Sequence, residues 1–322
     1  MSVHHEWDLK QMQSLPLEAK VLMSQRRIKD WYEHWEGQVY VSFSGGKDST
    51  VLKHLVDGLY NDVPALFVNT GLEYPELQHF ATSQPNVVTV RPKMRFDEVI
   101  KRHGYPMISK DVSQTVKTAK YNPNTYRAKK LQGIALDKQG RKSMFNMPKW
   151  QYLAEADFDT SAKCCDVMKK SPIRKYEKET GRKPFIGTLA SESRNRLQAW
   201  MRNGCNAFDS VKPISQPLAF WAEEDILAYL KNYNVPYASV YGDIVETENG
   251  LRTTGCDRTG CIFCGFGCHM EREPNRFQRM KQTHPRQYEY CIGGGEYVDG
   301  KWQPSKDGLG LGHVLDYIGI KY

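Results

Sequence analysis

Six consecutive residues, Ser44-Gly45-Gly46-Lys47-Asp48-Ser49, have the types and order needed to handle phosphate. They follow a β-prone run, 38–43, and open a helical pattern over 49–60 that sets Val51, Leu52, Leu55 and Leu59 on one face. Strand, glycine turn and helix N-terminus together make an anion cradle. Glycines let backbone N–H groups approach phosphate oxygens, and the positive end of the helix dipole adds to the attraction. Lys47 supplies a mobile positive charge, and Ser44 and Ser49 offer hydroxyls. Asp48 suits Mg²⁺, bound directly or through water, and equally suits simple capping of the helix. The bland alternative is an ordinary glycine turn between a strand and a helix.

The cysteines are the second source of chemistry. Cys256, Cys261, Cys264 and Cys268 form a C-x4-C-x2-C-x3-C run that could wrap a metal unaided. An adjacent pair, Cys164-Cys165, lies far upstream, and only folding could bring it to Cys261 and Cys264. Four thiolates meeting at one point suit a [4Fe–4S] cluster or tetrahedral Zn²⁺. Cys205 and Cys291 read as packed or free thiols.

The elements that must position these groups follow from pattern. A second strand, 64–69, ends in Asn69-Thr70-Gly71, and a third, 86–91, leads into a helix over 96–103. A helix over 165–180 and a strand over 184–189 continue the alternation. Ser191-Glu192-Ser193-Arg194-Asn195-Arg196 opens another helix, 213–218 is extended, and 222–233 is helical. This alternation predicts an α/β, doubly wound, mostly parallel sheet, whose ligands bind at the carboxyl ends of the strands. Ser42, Ser44, Gly45, Gly46, Lys47, Asp48, Ser49, Asn69, Thr70 and Gly71 then form the candidate nucleotide site. Residues 1–37 read as a helical lead-in, with Leu17, Val21, Leu22, Ile28, Trp31 and Trp35 as contacts. Residues 38–245 form the nucleotide-binding domain with a basic insertion at 110–160, and 246–322 a Cys-rich C-terminal segment in which 275–283 is the one clear helix.

Totals narrow the class. With 322 residues, 40% of them hydrophobic and 25% charged, the chain can bury a full core. Residues 1–20 lack an apolar signal region, and no stretch approaches membrane-spanning length, so a cytoplasmic protein without membrane contact is expected. In a reducing compartment eight cysteines point to metal or redox chemistry before disulfides. Net charge is +8, and residues 110–150 alone carry ten Lys or Arg against Asp111 and Asp137. Tyr121, Tyr126, Phe145 and Trp150 are interleaved with those charges, a pattern suited to nucleic acid. A solvated insertion whose lysines only keep it soluble fits equally well.

The loop lacks Walker spacing and resembles instead the PP-loop of the ATP pyrophosphatases, Ser-Gly-Gly-x-Asp-Ser. Asn69-Thr70-Gly71…Pro75-Glu76 resembles the Asp-Thr-Gly-x-x-Phe-Pro-Glu segment of the phosphoadenosine phosphosulfate (PAPS) reductase family. Pro217-Leu218…Trp221…Asp225-Ile226…Tyr229-Leu230…Val235-Pro236-Tyr237…Tyr241 looks like a further signature of that family. Cys164-Cys165 with Cys261-x-x-Cys264 is similar to the ligand set of its iron–sulfur branch. The resemblance covers roughly residues 35–100 and 160–270 and implies an adenine nucleotide alpha hydrolase-like fold.

Family reductases carry a nucleophilic cysteine in a C-terminal Glu-Cys-Gly-Leu-His element, whereas Gly308-Leu309-Gly310-Leu311-Gly312-His313 here has none. Intact loop, cluster cysteines and Ser191-Glu192-Ser193-x-x-Arg196 look most like the ATP pyrophosphatases of DNA phosphorothioation. That likeness implies ATP, Mg²⁺ and a [4Fe–4S] cluster as cofactors, a nucleic-acid acceptor, and a sulfur-donor protein of the cysteine desulfurase type. Lys47, Asp48, and Arg194 or Arg196 at the α-phosphate are the expected catalytic groups. A sulfonucleotide reductase using Cys291 or Cys268, and a nucleotide sensor without turnover, are the alternatives.

Overall fold

The computed structural model describes residues 4–322, which divide into two compact units. The first contains the chain up to Asn69, Glu73–Arg91 and Pro172–Thr259; the second contains Thr70–Leu72, Pro92–Ser171 and Gly260–Tyr322.

The first unit is built on six strands: β1 (Val39–Phe43), β2 (Ala65–Val68), β3 (Val87–Val90), β4 (Lys183–Ile186), β5 (Asn206–Ala207) and β6 (Ile214–Ser215). Their spatial order is β3-β2-β1-β4-β6-β5, all parallel except the β5–β6 pair. Parallel strands are covered on both faces, which is why β1 is almost wholly apolar, with Val39, Tyr40, Val41 and Phe43 all buried. Val41 sits opposite Ala65 on one side and Phe185 on the other, so β1 is the centre of the sheet. The strand order also reverses there, with β2 and β3 to one side and β4 to the other. The carboxyl end of β1 is therefore the topological switch point at which such sheets hold ligands.

The helix after β1 spans Lys47–Asp57, two residues earlier than the apolar periodicity marks. Gly46 serves as its N-cap in an extended conformation, so Lys47 and Asp48 lie in the first turn. Val51, Leu52, Leu55 and Val56 are buried in the core beside the sheet. The N-terminal helices Glu6–Gln13 and Leu17–His34 belong to this same core. Lys20 is buried and bonds both carboxylate oxygens of Asp225 at 2.7 and 2.8 Å. Val21, Ile28 and Trp31 face inward, but Leu22 is 67% exposed. At about 100° per residue, Leu22 is turned away from the buried stripe on which Val21 lies.

The second unit joins segments distant in sequence. Short strands Met107–Ile108 and Gly265–Phe266 pair in parallel, and the Tyr105 hydroxyl donates to the Leu309 carbonyl at 2.8 Å. His313 Nε2 meets the Asp157 carboxylate at 2.9 Å, and the Tyr297 hydroxyl donates to the same group at 2.6 Å. The insertion is itself helical, at Lys110–Tyr121 and Tyr126–Gln132. Ser109 and Thr125 cap these helices by accepting from Val112 N and Ala128 N. The C-terminal segment has three helices, Arg276–Thr283, Pro285–Ile292 and Leu311–Tyr317, where the sequence pattern marks only the first. Pro285 and the surrounding glycines mask the other two as loop, yet Cys291, Leu311, Val314 and Leu315 are all buried. Among the described residues, no helix is long and apolar enough to cross a membrane.

Candidate functional site

Two places gather chemistry, one in each unit. In the first, β1 ends at Phe43 and the chain turns through Ser44, Gly45 and Gly46 into the Lys47 helix. Gly45 has φ +74°, the left-handed region, and a Cβ there would stand 3.0 Å from the Leu77 side chain. The turn is tied internally. Ser44 N donates to Ser49 Oγ at 3.2 Å, Ser49 Oγ donates to the Gly46 carbonyl at 2.9 Å, and Gly46 N donates to Ser44 Oγ at 3.3 Å. Lys47 N donates to the Tyr241 hydroxyl at 3.4 Å, which is 2.6 Å from Thr259 Oγ1. Hydroxyl oxygens thus accept from the amides that a phosphate oxygen would use.

Charge is concentrated around this turn. Lys47 is only 6% exposed; its Nζ lies 3.2 Å from Glu223 Oε1 and 5.2 Å from the centre of the Tyr241 ring. Burial pushes the Asp48 carboxyl above the ordinary carboxylate range; Lys47 and Arg258 oppose that rise and Glu223 adds to it. Burial pushes the Tyr241 phenol up to about 12, so it stays a neutral hydroxyl. Glu192 binds two guanidinium groups, Arg196 through Oε2 and Arg258 through Oε1. Its Oε2 also accepts from Leu189 N at 3.0 Å, which fixes the carboxylate. Burial, then the neighbouring charge of Arg258, lowers the Arg196 pKa, while Asp48 counters.

Ser193 caps the helix Arg194–Asn203 by accepting from Arg196 N at 3.3 Å, and this places Arg196 on the Glu192 side while Arg194 is exposed. The Lys47 helix packs closely on the chain just past β4: a Cβ on Gly187 would meet the Asp48 carbonyl at 2.8 Å. Asn69 follows β2 as Ser44 follows β1, on the same edge of the sheet, and its N donates to the Val90 carbonyl at 2.9 Å. Ser42 lies within β1, paired with Leu66 and Ile186. Thr70 and Gly71 belong to the second unit, where Thr70 Oγ1 accepts from Leu72 N at 3.2 Å.

Sequence reasoning did not assign roles to Arg258, Glu192, Glu223, Tyr241 or Thr259. Arg258 and Thr259 sit in the Cys-rich run, where the cysteines dominate any reading by spacing. The available signal was Glu192 itself, a carboxylate in the helix-opening segment that also supplies Arg196.

The second place is a small cavity of about 20 Å³, lined by Cys164, Cys165, Cys261 and Cys264 together with Leu72, Phe96, Pro106, Met168 and Lys169. The Cys164 thiol donates to Cys165, which raises Cys164 and, with Lys110 and Lys169 nearby, lowers Cys165 to about 5. Four soft donors around one apolar-lined space have the chemistry of a thiolate-held iron or zinc site. Among the described residues, no three Cys, His, Asp or Glu side chains already stand close enough to hold an ion. The local run is divided: Cys256 lies in the first unit, and Cys268 is buried with its thiol donating to the Gly265 carbonyl at 2.9 Å. Burial pushes Cys268 up to about 11, and Cys291 is fully buried and raised well above its ordinary value.

Sheet order, switch-point loop and loop sequence together define a PP-loop α/β protein. The chain belongs to the phosphoadenosine phosphosulfate reductase domain family, which it matches over residues 38–136 and 106–266. A curated relative, the adenosine 5'-phosphosulfate reductase of Anoxybacillus flavithermus, is 22% identical over 85% of this chain and 92% of its own length. The phosphoadenylyl-sulfate (PAPS) reductase of Candida auris, solved as a phosphate complex, aligns at 16% identity and a TM-score of 0.38, covering 67% of this chain and 82% of that one. The U34-tRNA thiolase NcsA from Methanococcus maripaludis, solved with its [4Fe-4S] cluster, aligns at 14% identity and a TM-score of 0.36, covering 100% and 95%.

Proposed function

We propose that the protein is an ATP pyrophosphatase that adenylates an acceptor oxygen for sulfur transfer, with nucleic acid as the acceptor, as in DNA phosphorothioation. The observation that carries this reading is the intact Ser44–Ser49 loop at the switch point, with Lys47, Arg196 and Arg258 assembled in the same unit. Gly45, Gly46 and the amides opening the Lys47 helix would bind the β- and γ-phosphates, displacing the Ser44 and Tyr241 hydroxyls. Lys47 Nζ would exchange Glu223 for phosphate oxygen. Asp48 would hold Mg²⁺, which supplies charge neutralisation on the leaving pyrophosphate. The acceptor oxygen attacks the α-phosphorus, the bond to the β-phosphate bridging oxygen breaks, and pyrophosphate leaves. Arg196 and Arg258 would stabilise the charge that develops at the α-phosphate, and Glu192 would hold both in place.

Cys164, Cys165, Cys261 and Cys264 would hold the metal group, a [4Fe–4S] cluster in this reading or Zn²⁺ in the rival one, which would supply a holding point for sulfur or a structural brace. A reductase is the second reading, favoured by the curated relative. Burial of both thiols that could serve it, Cys268 and Cys291, speaks against it, because the nucleophile must be a reachable thiolate. The test is product analysis after incubation with ATP and Mg²⁺. AMP and pyrophosphate are expected, and ATP bound tightly but uncleaved would make the protein a sensor.

A further inference from the structure

We propose that the antiparallel turn 134–144, with Tyr126 and Phe145 beside it, is a nucleic-acid platform on which bases stack between phosphate-binding lysines. Its backbone is well fixed. Asp137 N donates to the Arg141 carbonyl at 2.7 Å, Ser143 N to the Ala135 carbonyl at 2.9 Å, and the Asn146 amide bonds the Gly133 and Ala135 carbonyls at 3.1 Å. Side chains alternate as a strand pair requires: Ala135 and Ser143 face in, while Ile134, Leu136, Lys142 and Met144 face out. Three of these four outward side chains are apolar, where a merely solubilising loop would be polar. Met144 is 87% exposed and Phe145 67%, and the Tyr126 ring is exposed with its hydroxyl on the Leu136 carbonyl at 3.2 Å. Contiguous exposed apolar groups of this kind mark an interaction surface.

Charge selects the occupant. Five of the ten cations in 110–150 are committed inside the unit: Lys117 to the His103 carbonyl, Lys120 to the Ala156 carbonyl, Arg127 and Lys130 to Asp111, and Arg141 to Asp137. Lys129, Lys138 and Lys142 are exposed and, among the described residues, make no ion pair. A cationic rim around aromatic and aliphatic side chains complements a polyanion bearing flat apolar groups, which is nucleic acid. Within 126–145 the free charge thus lies at Lys129, Lys138 and Lys142, and not at Arg127, Lys130 or Arg141.

This inference rests on the nucleic-acid acceptor proposed above, and its test is separable from ATP turnover. The full chain is titrated, without ATP, into a labelled single-stranded DNA and into an abasic strand of equal length. Phe145→Ala is expected to weaken binding to the base-bearing strand about ten-fold and to leave the abasic strand unchanged. Lys129→Gln, Lys138→Gln and Lys142→Gln combined should reduce the salt slope of single-strand binding by about two. Equal affinity for both strands, an unaffected Phe145→Ala protein, absence of binding at low salt, or binding only to anionic vesicles or an acidic peptide would each overturn the platform. ATP cleavage is measured on the same preparations. A protein that cleaves ATP but ignores DNA loses the platform alone, and one that binds DNA but leaves ATP intact loses the pyrophosphatase reading alone.

Discussion

The phosphate loop and the cysteine cavity differ in how they are made. Residues 44–49 are contiguous, and their own hydroxyls and amides bond one another into shape before any ligand is considered. The cavity draws Cys164 and Cys165 from one segment and Cys261 and Cys264 from another, and no three of its donors stand in ligating geometry. A local motif fixes its own backbone, whereas a site assembled from distant segments fixes the neighbourhood and leaves closure to the ligand. The loop should therefore lose function through charge, and the cavity should lose its ligand through removal of single donors.

The largest effect is expected at the loop. Lys47→Ala should lower ATP cleavage by about two to three orders of magnitude, the scale of losing one preorganised charge at a transition state. Circular dichroism should stay unchanged, because the Lys47 ammonium pairs with the exposed Glu223 carboxylate and is not part of the apolar core. Next come the cysteines. Protein isolated without oxygen should carry about four irons per chain if all four thiolates hold one cluster. Cys164→Ser or Cys165→Ser should abolish that content, and Cys256→Ser or Cys268→Ser should retain it. The opposite pattern in iron analysis would transfer the site to the local run, and one zinc per chain would remove the cluster altogether.

Smaller effects sharpen the contrast. Glu192→Gln should reduce turnover about ten-fold, because both arginines lose their shared anchor while each keeps its charge. Lys47→Ala and Glu192→Gln measured singly and together should show non-additive losses if the cations act on one phosphate chain. Asp48→Asn should abolish Mg²⁺-dependent activity yet raise the melting temperature at neutral pH. The sign follows from burial: the folded-state pKa of Asp48 is raised, so its contribution to stability is full below the ordinary carboxylate pKa of about 3.9 and is lost as pH rises through the raised value. The advantage of the amide should therefore vanish in acid; a melting temperature that falls equally at both pH values would contradict it. Gly187→Ala should destabilise by about 1–3 kcal/mol, seen as a lowered denaturation midpoint, since its Cβ would press on the Asp48 carbonyl.

The parallel sheet was legible because β1 and β2 are apolar runs ending in turn residues, and because 3.6-residue periodicity marks the helix between them. The Lys47 helix begins earlier than that periodicity because polar first-turn residues carry no apolar signal. Arg258 stayed hidden since its partner Glu192 lies far upstream, and ion pairs at such separation leave no spacing. The helices Pro285–Ile292 and Leu311–Tyr317 were obscured by flanking proline and glycines that locally speak for loop, while burial of Cys291 and Leu315 decides for helix. The charge surplus at 110–150 was plain, but which lysines are spent internally depends on Asp111 and on carbonyls that no sequence pattern displays.

The loop at the end of β1 is proposed to cleave ATP between its α- and β-phosphates. The purified chain is incubated with Mg²⁺ and ATP labelled at the α-phosphate, and the nucleotide products are separated. Labelled AMP with an equal amount of pyrophosphate is expected, and both should be lost in a folded Lys47→Ala protein. Labelled ADP with free phosphate, or intact ATP alongside thiol-dependent sulfite release from adenosine phosphosulfate, would contradict it.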